Sequence, residues 1–221
     1  MPREKAHLFD TIVRRWESSY AMASISLNEA FSRRSRGELV GARQQVAVSA
    51  ELLARSAVAL IDACQSMATR GRRIGNIPQV LPLNTEFFKG QNAQSAASWN
   101  ALLHHVLFAD RSRFFQKLRI LSQTLEGLVA EFHAEADELS GARSIRPNET
   151  WQSLKNHHYD FNTCLQEAEI LLKSFLRALP NEQIQAFACE LDVTPSPEKL
   201  DKIRSIAARL SPQPKHRFAT S

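Results

Sequence analysis

Cysteine is scarce and unpaired. The 221 residues hold three, Cys64, Cys164 and Cys189, an odd number with no C-x-x-C spacing. That argues against a disulfide framework and against a cysteine zinc site. Glycine is sparse at seven, and tyrosine at two. Val, Thr and Tyr never alternate in runs, and turn signals are too rare for a sandwich, a barrel or a chain of βαβ units. No stretch reaches 18 apolar residues, so no membrane span is expected. Met1-Pro2-Arg3-Glu4-Lys5 leads into no apolar signal core, so no secretion signal is expected either. These absences together suit a reduced, cytoplasmic protein.

What remains is ordinary globular composition, 43% hydrophobic and 23% charged. The formal charge of +5 is unevenly spread: residues 1–75 carry 12 basic and 7 acidic groups, residues 76–221 carry 16 of each. Twenty of the 28 basic residues are arginine, the side chain best suited to anions, but the net excess is modest.

The apolar spacing is helical almost throughout. In a first segment, about 3–36, Phe9, Val13, Trp16, Tyr20, Ala23, Leu27 and Ala30 recur at steps of four and three. Gly37 stops it. A second segment, about 38–70, has the seam Val46, Ala50, Leu53, Ala57, Leu60, Cys64 and Met67. Large and small residues alternate there, which lets a neighbouring backbone come close. Cys64 reads as a small core residue.

Gly71, Gly75, Pro78, Pro82 and Gly90 then break the pattern, giving a long connection over 71–93. A third segment, about 94–139, shows a clean seam from Phe114 through Leu118, Leu121, Leu125, Leu128 and Phe132 to Leu139, interrupted by Glu135. Upstream, the same phase lands on Arg111, Leu107 and His104. The fourth, about 148–179, carries Trp151, Leu154, His158, Phe161, Leu165, Ala168, Leu172, Phe175 and Leu179. Short helices follow over 181–210, the last of them starting at Pro197 with Leu200, Ile203, Ala207 and Leu210 on one face. Residues 211–221, with Pro212 and Pro214, read as a flexible tail. The expected fold is all-α: a long up-down-up-down four-helix bundle over 1–180 with a small helical C-terminal appendage.

Chemistry is harder to find. Di-iron bundles need Glu-x-x-His on two helices, and the one instance here, Glu4 to His7, lies at the N-terminus. The adjacent pairs His104–His105 and His157–His158 each diverge by about 100° on a helix. No metal and no cofactor are expected. G-x-S-x-G, G-x-x-x-x-G-K-[ST] and G-x-G-x-x-G are all missing. Two groups of candidates remain. His158 sits in an otherwise apolar seam, level with Ser49, Ser24 and Asn28, any of which offers a hydrogen bond; with His104 and Arg111 it forms a candidate buried polar site. Arg33, Arg34 and Arg36 close the first helix, and Arg143 and Arg146 lie in the turn after the third. An up-down-up-down bundle brings these five to one tip, a candidate anion-binding site, although cations at helix C-termini also serve the macrodipole.

The resulting expectation is a non-enzymatic helical interaction or scaffold protein that binds a protein partner or another copy of itself. An anion or nucleic-acid binder acting through the arginine tip is the first alternative. Nucleic acid is not favoured, because its motifs are absent and the aromatics lie in core seams. A ligand or metal site near His158 is the second.

Overall fold

The computed structural model describes residues 2–73, 111–141, 147–191 and 197–210. Among these residues there are six α-helices, one 3₁₀ turn and no strand. The helices are α1 (Arg3–Ser35), α2 (Leu39–Arg73), α3 (Arg111–Ser140), α4 (Pro147–Ala178), α5 (Ile184–Leu191) and α6 (Pro197–Leu210), with the 3₁₀ turn at Asn181–Gln183 before α5. No helix among the described residues is long and apolar enough to cross a membrane.

Local chemistry explains where the helices begin and end. Pro2 precedes α1, and Pro147 and Pro197 open α4 and α6, where a missing N–H costs nothing. Glu4, Glu149 and Glu198 stand in the corresponding first turns, at the positive end of each dipole. Gly37 ends α1 at φ 81°, and its N–H donates to the Arg34 carbonyl at 3.0 Å while Glu38 N–H donates to Arg33 at 2.9 Å. This paired reversal needs a left-handed residue, which glycine adopts without strain.

One boundary departs from the sequence reading. The glycine and proline pattern starts the long connection at residue 71, yet Gly71 to Arg73 continue α2. A Cβ on Gly71 would stand 3.1 Å from the Phe115 ring, so this glycine serves a close approach of α3 rather than a stop. The rest of the connection, the first part of the third segment (94–110) with His104, and Arg143, Arg146 and the tail 211–221 lie outside the described residues.

Neighbouring long helices run antiparallel. Ser49 and Ser56 of α2 donate to the carbonyls of Ala23 and Trp16 on α1 at 2.9 and 2.8 Å, so one number rises as the other falls. On α3 and α4, Lys117 meets Glu167 at 2.9 Å while Glu135 meets Ser153. On α1 and α4, Phe31 packs edge-on to Trp151 at 5.2 Å and Tyr20 stacks on Phe161 at 5.8 Å. α2 and α3 also pack together, with Gly71 close to Phe115 and Cys64 and Ser122 lining one groove.

The buried residues follow the seams. All seven seam residues of α2 are buried, and all those of α4 except His158, which is half-buried. In α1 the interior takes Leu8 and Ile12, while Phe9 and Tyr20 are only partly covered. α1 packs on both α2 and α4, so its buried arc is wider than a single stripe, and these two aromatics fall on the α4 flank. On α5, Phe187 packs against Phe175 at 4.9 Å, which stacks in turn on Phe114 at 6.3 Å, so α5 extends the aromatic core. α6 lies on α3 and α2. It buries Ile203 and Ala207 and half-buries Leu200, but Leu210, expected on the same face, is 51% exposed. Leu210 is the last residue of the helix, where coverage has run out.

Candidate functional site

His158 lies between α4 and α1. Its Nε2 is 2.9 Å from the Ser24 hydroxyl, and its ring stacks on Tyr20 with centroids 5.0 Å apart. Ser24 is one of the three partners that helical counting offered; Ser49 instead holds the Ala23 carbonyl. The Ser24 hydroxyl has one proton and donates it to the Tyr20 carbonyl at 2.9 Å. The histidine must then supply the other proton, donating from Nε2–H to the serine oxygen. This is the reverse of a base drawing a proton from a nucleophile. Burial also pushes the His158 pKa below its usual value, favouring the neutral ring. Among the described residues no carboxylate is bonded to its other nitrogen. His104 lies outside the described residues, and Arg111 is described only as the first residue of α3.

The arginine tip is described in part. Arg33 is paired with Glu29 at 2.8 Å, and Arg36 with Glu38 at 3.2 Å and Glu29 at 3.5 Å. Arg34 donates to the Asn148 Oδ1 at 2.6 Å and lies over the Trp151 ring at 5.0 Å, clasping the start of α4. All three are thus engaged with their own chain. At the opposite end, Arg70 meets Glu190 of α5 at 2.5 Å, and Arg72 lies over Phe115 at 5.9 Å.

A further polar cluster joins α3 to α4. His157 stands between two carboxylates of α3: its Nδ1 is 3.2 Å from Glu135 and its Nε2 is 3.2 Å from Glu131. Glu135 also accepts from the Ser153 hydroxyl. The hydrogen bond to Glu135 raises the His157 pKa above its usual value, and the two glutamate charges act in the same direction against the cost of burial. The only forewarning in the sequence was Glu135 itself, a charge interrupting a leucine seam. Both ring nitrogens face a carboxylate, so the arrangement suits a protonated imidazolium holding α3 to α4. Among the described residues no cluster of three or more His, Cys, Asp or Glu is disposed to hold a metal.

Two of the three thiols, Cys64 and Cys164, are buried. All three cysteines are free. Burial pushes Cys64 up to about 12 and Cys164 up to about 11, far from thiolate chemistry. Cys64 lies under a groove of about 570 Å³ between α2 and α3, whose walls include Ala68, Arg72, Phe115, Arg119 and Gln123.

Exposed apolar surface is concentrated on the α1/α2 hairpin. Met22 and Ile25, three residues apart on α1, are 54% and 62% exposed, and Val48 of α2 is 46% exposed. The register set by Ser49 and Ala23 makes Val48 level with Ser24, so these three side chains share one stretch of the hairpin. Leu39 and Val40 are exposed beside the Gly37 turn. No protein-family model, curated protein or solved structure matches the chain.

Proposed function

We propose that this chain is a long up-down-up-down four-helix bundle, braced by its C-terminal helices, that works in the cytoplasm as a non-enzymatic interaction module. The antiparallel contacts between successive long helices support the bundle. Free and largely buried cysteines accord with a reducing compartment. The observation that carries the function is the exposure of Met22, Ile25 and Val48 at one level of the α1/α2 hairpin. Isolated exposed apolar residues are common, but several at one level of a hairpin suit a protein contact. Of the polar side chains proposed for chemistry, His158 meets Ser24 and Arg34 meets Asn148 across helices, while Arg33 and Arg36 pair locally with Glu29 and Glu38.

The test is the double variant Met22→Glu/Ile25→Glu. Both positions face solvent, so unfolding temperature should move by no more than a few degrees. Self-association in sedimentation, or retention of a partner in affinity purification from the native host, should fall sharply. Unchanged association in both measurements would refute a contact through this face.

A further inference from the structure

α6 rests on α2 and α3 through a short apolar stripe and several ion pairs. Its fully buried apolar side chains are Ile203 and Ala207. Lys199 meets Asp62 and donates to the Gln65 oxygen at 3.0 Å; Lys202 contacts both oxygens of Glu126 at 2.8 Å; Arg204 meets Glu51 at 2.8 Å. Along α6, then, the partners on α2 fall from residue 62 to residue 51. Gly71 nears Phe115 and Cys64 shares a groove with Ser122, so residue numbers rise on α3 as they fall on α2. The second half of α6 therefore comes level with His133. Helical spacing agrees. Glu126, Ala130, His133 and Asp137 follow one another at steps of four, three and four, which is one stripe of α3. Lys202 marks the start of that stripe, and Ala130 within it is fully buried.

His133 is half-buried, and its Nε2 is sealed from solvent with no hydrogen-bond partner. The charged groups that act on the ring are Glu51 of α2, Asp137 of its own helix and Arg204 of α6. Glu131 and Glu135, two positions to either side, hold His157 of α4 on the opposite flank. A protonated ring carries N–H on both nitrogens, so the sealed Nε2 would become a charged donor without an acceptor. Arg204 would then face a like charge. Lifting α6 relieves both, because water reaches the ring. We propose that His133 is a pH-sensitive latch: neutral, it lets α6 seat on α2 and α3; protonated, it releases the second half of α6. Burial, the largest influence, holds the pKa of seated His133 below its usual value, against the pull of Glu51 and Asp137 and with that of Arg204. Protons thus bind the unseated form more tightly, and the seat weakens as pH falls from about 6.5 through the seated value. The latch uses none of Met22, Ile25 and Val48, so it stands whether or not they meet a partner.

Amide hydrogen exchange on the full chain tests it, at pH 7.5 and pH 5.5 and corrected for the intrinsic rate at each pH. In wild type, protection of α6 should fall at pH 5.5 by up to about tenfold, the most that one group with an open-state pKa of about 6.5 delivers one unit below it. Protection of α2 and α3 away from the seat should change less. In His133→Gln, which keeps a polar side chain but takes up no proton, the acid-induced fall in α6 should vanish. An equal fall in wild type and variant, or no fall in wild type, overturns the proposal. Far-UV circular dichroism checks that the variant folds, and His133→Met takes its place if it does not. Wild type alone supplies a further test: a His133 ring that titrates at or above about 6.5 in NMR would equally overturn the latch.

Discussion

His157 and His158 are neighbours with opposite chemistry. His157 points to α3 and is stabilised as a cation by Glu135 and Glu131. His158 points to α1, meets Tyr20 and Ser24, and is kept neutral by burial. The consequences for stability have opposite signs. The raised pKa of His157 means its contribution is complete below about 6.5, the unfolded value, and is lost as pH climbs through the folded value. The lowered pKa of His158 means the fold loses stability as pH drops from about 6.5 through the folded value. His157→Gln should therefore lower the urea midpoint more at pH 5.5 than at pH 8.5. His158→Gln should reduce the loss on acidification. Midpoints measured at the two pH values check both, and equal shifts at the two values would contradict the assignment.

At the scale of elements, helix ends are tied by side chains far away in sequence. Lys5, in the first turn of α1, is buried, and its ammonium donates to the carbonyls of Leu179 and, at 3.4 Å, Arg177. Those carbonyls have no partner in their own helix, so the lysine serves α4 as a cap. Lys5→Met keeps the bulk and removes the donor. It should cost about 1–2 kcal/mol, the loss of a charged hydrogen bond to otherwise orphaned carbonyls. Amide exchange should quicken in the first turns of α1 and around Leu179, while the α2/α3 contact stays protected. Unchanged exchange there would show that the cap contributes nothing. No sequence pattern announces it: a single lysine near the N-terminus looks the same whether it is solvated or inserted. The Glu135–His157–Ser153 cluster was hidden for a related reason. Its members come from two helices, and only their packing shows that they meet. By contrast, the α2 seam was legible in full, because Val46 to Met67 repeat strictly and both faces of the stripe are covered. The seam of α1 was legible only in part, since two neighbours compete for its surface.

At the scale of the molecule, helical periodicity was the decisive signal, and the described residues bear out the all-helical reading. Far-UV circular dichroism should show well over half of the chain as helix, because the six helices already cover that share of the sequence; a substantial β component would contradict the fold. The tip arginines show why function was less legible than architecture. Counting charges located Arg33, Arg34 and Arg36 but could not show that Glu29, Glu38, Asn148 and Trp151 had already engaged them. The placing of two adjacent histidines on opposite flanks of α4 has a further use. Turning α4 about its own axis would take His157 from its glutamates and His158 from its tyrosine together. The order of their two titration curves, followed by NMR through the imidazole carbon-bound protons, is thus a built-in gauge of that rotation: His157 titrates above His158 when α4 sits as described, and the two draw together as it turns.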